Sequence, residues 1–322
     1  MTLFITYDNE ELTDGLGAQT LRIVGVYAIS RKYRINYFHS PIKETIEEFS
    51  HGVSNEQELN LLMHQMNEMF DFPSSNKTVD FDIEIRSRTL GMRRLLSLIL
   101  RYKFSRKNVL LRVCLPFGIT DRNPKLYKKA VNHVKSSNKS FFDQKKIGYM
   151  VLHFRMGHGQ KAPIANHVKP KLLPLEYFLS VIENISLKVS HLGVNKLIIH
   201  TDLSDKEKLW KPSPKRMRQN ISYGEEIIDG NVLVPKSDVA KMFSDIKGFE
   251  FEVKYCADFF ETFHDMVNAE VLVISRSAFS YLAALFNANL VVYPIGHGHA
   301  KIDNWLSSAD LGVPNDYKLL PW

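Results

Sequence analysis

Three short segments gather residue types that hold phosphate-bearing molecules. The first is Asp14-Gly15-Leu16-Gly17-Ala18-Gln19, between an apolar run and a helical pattern. Paired glycines let the backbone approach a ligand, and the helix behind them offers free N–H groups to an anion. Thr20 stands where a GxGxxG fingerprint has its third glycine, so the loop taken alone reads first as a plain tight turn. The second segment is His153-Phe154-Arg155-Met156-Gly157-His158-Gly159-Gln160, directly after an apolar strand pattern. An arginine at a strand's carboxyl end can clamp two phosphate oxygens and offset charge that grows as a diphosphate leaves. Gly157 and Gly159 would keep side chains clear of the pyrophosphate, and the proline- and lysine-bearing stretch 161–171 suits a cover or an acceptor-facing loop. The alternative is a surface turn with a solvated arginine. The third segment, Ser275-Arg276-Ser277-Ala278-Phe279-Ser280-Tyr281, joins a buried strand to an apolar helix. Its hydroxyls and helix amides suit phosphate or ribose, although a serine N-cap explains much of it without a ligand.

These loops need rigid elements behind them. Hydrophobic periodicity predicts strands at Leu3–Tyr7, Ile35–Phe38 and Val109–Val113, with helices over Gly17–Lys32, Ile42–Phe49, Glu56–Phe70 and a basic one at Thr89–Tyr102. After a polar, lysine-rich stretch at Ser136–Lys146 the alternation becomes regular. Strands are expected at Ile147–Arg155, Lys196–Thr201, Phe249–Tyr255, Val271–Ile274 and Leu290–Tyr293. Helices are expected at Leu175–Val189, Val239–Phe243, Phe259–Asn268 and Phe279–Phe286. Such alternation implies an α/β protein with parallel sheets covered on both faces, and ligands in such sheets bind beyond the carboxyl ends of the strands. Ser213–Asp229 is the least regular portion.

The 322 residues carry 44% hydrophobic and 24% charged side chains, an ordinary globular balance. No apolar run is long enough to span a bilayer, and the start MTLFITYDN lacks the pattern of a secretory signal. Cys114 and Cys256 lie far apart in apolar surroundings, which predicts neither a disulfide framework nor zinc and fits a cytoplasmic protein. The net charge of +7 is concentrated in two blocks, Arg86–Lys107 and Lys206–Arg218. Few aromatic residues accompany them, which argues against nucleic acid; weak peripheral attachment to an anionic membrane surface is the better functional expectation, against a merely solvated basic surface.

Taken together, the three loops resemble the fucosyltransferase superfamily of bacterial alpha-1,2-fucosyltransferases, rhizobial alpha-1,6 enzymes and protein O-fucosyltransferases. A GLGNQ loop there is similar to Gly15-Leu16-Gly17-Ala18-Gln19, and an HxRxG strand end to His153, Arg155 and Gly157. The longer HxRxGxG run is nearest the rhizobial type. The segment SSFSWWGAWLN is similar to SAFSYLAALFN at Ser277–Asn287, and Thr201-Asp202 matches the start of an SDD or TDD motif. Met156, Ala278 and Tyr281-Leu282 depart from the pattern, and Phe38–Lys146 carries no resemblance.

The resemblance implies a type B glycosyltransferase fold: two Rossmann-like domains facing a cleft, residues 1–145 on the acceptor side and 146–322 binding the nucleotide sugar. It implies inverting transfer, with GDP-fucose as the expected donor, to a glycan acceptor, lipid-linked, in bacterial surface polysaccharide synthesis. The resemblance also implies transfer without a metal or cofactor, and the sequence agrees, since no Asp-x-Asp pair stands in a loop placed to bridge a diphosphate. Arg155 would stabilise the leaving diphosphate, with Asp14 or His158 as general base. Gly15, Gly17, Gln19, His153, Gly157, Ser277, Phe279 and Ser280 would hold the donor. A carboxylate would read the guanine edge, and Glu261 (beside Thr262) and Asp202 are its candidates. The alternatives are a transferase for a different nucleotide sugar and a non-catalytic carbohydrate- or polyanion-binding protein.

Overall fold

A computed structural model describes residues 3–10, 15–45, 53, 56–75, 79–102, 104–142, 146–155, 172–210, 227–234 and 236–313. The chain divides into two compact units, Met1–Glu47 with Gln57–Ser140, and Glu48–Glu56 with Phe141–Trp322.

The first unit opens with β1 (Leu3–Tyr7), all five residues buried, and α1 (Leu16–Tyr33). Helix α1 is buried around most of its surface, so its sequence is apolar on every side rather than striped. β2 (Asn36–Tyr37), α2 (Glu56–Met69), β3 (Ile83–Thr89), α3 (Met92–Tyr102) and β4 (Val109–Leu115) follow, then short α4 (Phe117–Thr120), α5 (Tyr127–Ser137) and α6 (Lys139–Phe142). The strands pair in the order β2-β1-β4-β3, every pairing parallel. Gly25 permits α1 to lie close to the chain leaving β4. A Cβ there would sit 2.8 Å from Pro116 Cγ.

Three local expectations change. Residues 42–45 of the helix expected at 42–49 are irregular, and 46–49 lie outside the described residues. The Asn67 side chain accepts from Ile42 N at 2.8 Å and donates to Ile42 O at 2.9 Å, tying the backbone groups that a helix would need. The helix expected from Thr89 starts at Met92, because IEIRSRT forms β3 against β4. Helix α5 lies almost wholly in a stretch for which no element is expected from sequence; Tyr127, Ala130, Val131 and Val134 supply its buried stripe.

The second unit begins with β5 (Lys146–Phe154), α7 (Leu175–Val189) and β6 (Lys196–Thr201). A small antiparallel sheet of β7 (Lys208–Trp210), β8 (Ile227–Ile228) and β9 (Asn231–Val234) comes next. Asp229 and Gly230, both at positive φ, make its two-residue turn. Then follow α8 (Val239–Met242), β10 (Glu250–Tyr255), α9 (Phe259–Asn268), β11 (Ala269–Val273), α10 (Ala278–Phe286), β12 (Leu290–Tyr293) and β13 (Leu306–Ser307). The main sheet runs β10-β6-β5-β11-β12-β13, all parallel. Numbered within that sheet, the order is 3-2-1-4-5-6, the doubly wound order that reverses between its first and fourth strands. Met150, Leu152 and Phe154 alternate into the core formed with Phe178, Val181, Ile182 and Phe243.

Candidate functional site

The order of strands in the second unit reverses between β5 and β11, and the loops leaving these two strands hold Arg155 and Ser277. Arg155 follows the last residue of β5. Its Nη1 donates to Ser277 Oγ at 3.1 Å, and its Nε lies 3.7 Å from Asp202 Oδ2, beyond the end of β6. The Arg155 side chain is 44% exposed whereas Asp202 is buried, so the guanidinium is held from behind and presented to solvent. Ser277 is the N-cap of α10, and its Oγ also accepts from Phe279 N at 3.2 Å. One hydroxyl thus fixes a cation beside a helix N-terminus, where backbone amides and the helix dipole favour an anion.

His153 points to the face opposite Leu152 and Phe154. Its Nδ1 lies 2.8 Å from Ser275 Oγ, and its ring stands edge-on to Phe279 at 5.8 Å. Ser280 Oγ donates within the loop, with Ser275 O and Ser277 O each at 3.1 Å. His153, Phe279 and Ser280 are buried, so they shape the loop from within. Arg276, which sequence reasoning passed over, does the same from the other side. Its Nε and Nη2 donate to Ile295 O at 2.9 and 2.6 Å. The guanidinium occupies the space beside Gly296, where a Cβ would come within 2.9 Å of Nη2. Burial draws its pKa down. His297, in the same loop, is pushed down to about 3 by burial and by neighbouring His299.

A second cluster crosses the sheet. Strand register places His153 beside His200 and His200 beside Lys254. Asp265 of α9 caps this row, with Oδ2 3.0 Å from His200 Nε2 and 2.8 Å from Lys254 Nζ. Burial outweighs the carboxylate and lowers the His200 pKa, so the imidazole is neutral and donates from Nε2. For Lys254 burial is outweighed by Asp265 and Glu261, and its pKa is raised. Glu261 reaches Lys254 Nζ at 2.6 Å while half-exposed in the first turn of α9; Thr262 beside it is buried. Asp258 caps that helix by accepting from Phe260 N and Glu261 N. The polar row is therefore a brace between α9 and the sheet, and no single-residue pattern in the sequence announces it.

In the first unit Gly15 is the N-cap of α1, with no side-chain bond to the helix. Gln19 is buried; its Nε2 donates to Glu44 O at 2.7 Å and its Oε1 accepts from Tyr7 OH at 3.4 Å. That geometry ties α1 to β1 and to the segment at Glu44. Gly17 is buried in the first turn of α1. Asp14, Gly157 and His158 lie outside the described residues. The Asp80-Phe81-Asp82 triplet lies just before β3, with Asp82 Oδ2 accepting from Asn108 N at 2.7 Å. Among the described residues no three His, Cys, Asp or Glu side chains group as metal ligands, and no helix is long and apolar enough to cross a membrane.

No family model and no curated protein matches the chain. Solved structures do. The chain is similar to the E. coli heptosyltransferase WaaC with ADP at 11% identity, covering 97% of this chain and 96% of that one, with a TM-score of 0.40. POFUT1 in complex with GDP is similar at 11% identity, covering 95% and 98%, with a TM-score of 0.40. The fucosyltransferase NodZ from Bradyrhizobium follows at 10% identity, covering 88% and 92%, with a TM-score of 0.32. At this level of likeness the chain's own strand order is the basis for its class: an α/β protein of two units, each built on a parallel sheet.

Proposed function

We propose that the protein is a glycosyltransferase of the type B fold that uses a nucleotide-diphosphate sugar. One observation carries the reading. At the switch point of the second sheet, an exposed guanidinium is anchored to the N-cap serine of a helix and backed by a buried carboxylate. This arrangement suits a diphosphate: two fixed sources of positive potential converge where a doubly wound sheet binds its ligand.

In the reaction the bond between the anomeric carbon and the β-phosphate oxygen breaks as the acceptor oxygen attacks from the opposite face, giving inversion. The electron pair leaves on the diphosphate, where Arg155 and the amides of α10 meet it. The acceptor proton passes to a base, for which Asp14 and His158 are the candidates. Arg155 is already a fixed cation, so the reading requires no metal; transfer should persist in EDTA, and loss restored by magnesium or manganese would overturn that part.

The donor in this reading is a GDP-sugar, with GDP-fucose first. A guanine edge presents adjacent N–H donors to a carboxylate. Asp202 is buried behind Arg155, whereas Glu261 is half-exposed and would exchange its Lys254 ion pair for the base, so Glu261 is the reader to test. Thermal shift with GDP, UDP, dTDP and CMP tests this. GDP should raise the melting temperature most, and Glu261→Ala should erase that preference while leaving the common diphosphate effect. Greater stabilisation by UDP or dTDP would retain the transferase reading and discard GDP-fucose.

A further inference from the structure

Seven large apolar side chains among the described residues stand exposed, and three of them fall within nine residues of sequence, on α3 and just after it. Leu96 is 45% exposed, Leu100 71% and Phe104 86%. Leu96 and Leu100 are one helical turn apart on α3, and Phe104 stands in the turn that follows the end of the helix at Tyr102. Leu95, Leu98 and Tyr102 bury the opposite face of α3. Leu96 and Leu100 therefore lie outside the face of α3 that the fold buries.

Charge states what this face meets. From Arg86 to Lys107 there are eight basic residues and no acidic one. Arg93, Arg101, Arg106 and Lys107 are all exposed on α3 or in the turn after it. Arg86 pairs with Glu10 and is not part of this face. A purely solvated basic helix would not carry a leucine and a phenylalanine among the most exposed apolar side chains of the described residues, and an apolar protein interface would not be ringed by like charges. Apolar side chains set among arginines match the boundary of an anionic bilayer: the stripe enters the acyl edge while long basic side chains reach the headgroups.

We propose that the exposed face of α3, with the turn at Phe104–Lys107, docks the protein on anionic membrane. The site is independent of the diphosphate-binding site and stands whether or not the transferase reading holds. It predicts binding that needs both contributions, apolar insertion and charge, each confined to this face.

The test is sedimentation of the full chain with vesicles of pure phosphatidylcholine or of phosphatidylcholine mixed with phosphatidylglycerol. The wild type should pellet with the mixed vesicles only. Leu100→Ser with Phe104→Ser, and separately Arg101→Glu with Arg106→Glu, should each weaken partitioning at least tenfold. In Phe104→Trp the added indole emission should shift to the blue with mixed vesicles and not with neutral ones, a readout that needs no loss of binding. Equal pelleting with both vesicles, or a serine variant that binds as the wild type does, overturns the proposal. So does an unshifted emission from the Phe104→Trp variant, or sedimentation velocity showing a dimer that the serine changes dissolve without any effect on lipid.

Discussion

Arg155 matters because of what holds it. Its Nη1 is tied to Ser277 and its Nε faces Asp202, so its planar fork is pre-oriented before a ligand arrives. A charge-assisted contact of this kind contributes roughly 2–4 kcal/mol in the transition state, about two to three decades of rate. Arg155→Ala should therefore lower turnover by that factor with the melting temperature nearly unchanged, as donor-turnover assays and thermal denaturation would show. Arg155→Lys should recover only a small part, since an ammonium keeps the charge and loses the two-pronged geometry. Near-normal turnover in folded Arg155→Ala would remove this residue from the chemistry. Asp202→Asn keeps shape and removes charge, so it should weaken diphosphate binding by disordering Arg155 without touching the base preference.

Two elements depend on contacts that a single atom would break. Helix α10 starts at Ser277, whose hydroxyl satisfies Phe279 N and also holds Arg155. Ser277→Ala should cost about 1 kcal/mol of stability as a lost cap. It should cost more in donor affinity, because the guanidinium loses its anchor; urea denaturation and nucleotide titration read the two effects separately. Helix α1 packs on Pro116 through Gly25, where an added Cβ would lie 2.8 Å from the proline ring. A proline ring has little freedom to yield, so Gly25→Val should destabilise the first unit by about 1–3 kcal/mol. An unchanged urea midpoint would show that α1 can shift without cost.

Acid stability belongs to the whole molecule, because protons bind the folded and unfolded chains differently. His297 is held down at about 3, and burial also lowers His200 and His39. Above the unfolded value near pH 6.5 both states are neutral at these rings, and they add no pH dependence. Below it the unfolded chain takes up protons that the folded chain refuses, so stability falls as pH drops, by about 1.4 kcal/mol per pH unit per ring. For His297 the loss continues down to about pH 3. Urea denaturation at pH 7.5 and pH 5 should show a steep acid limb in the wild type and a shallower one in His297→Asn. Parallel limbs would mean that His297 is protonated as readily in the folded protein as in the unfolded chain.

The elements that the sequence determined by itself are those buried on both faces. Strands β1, β4, β5, β6, β11 and β12 read as continuous apolar runs because parallel strands under helices have no polar side. Arg155 and Ser277 were legible for a related reason: each stands where such a run stops, and a strand end in this class of sheet faces the ligand. Strand β3 escaped because it is an edge strand whose alternate residues are charged. The turn at Asp229-Gly230 carried an ordinary hairpin signal inside a segment whose composition reads as irregular. Only the tertiary structure decided what the polar residues do. Register alone brings His153, His200 and Lys254 side by side, and packing alone sets Asp265 over them. The Gln19 and Ser280 side chains have groups suited to a ligand, and burial turns them to the chain's own backbone. Apolar burial is a local property that one strand or helix records in its own residues. The partners of His153, His200 and Gln19 are residues distant in sequence that arrive through the packing of other elements, and no short stretch contains both ends.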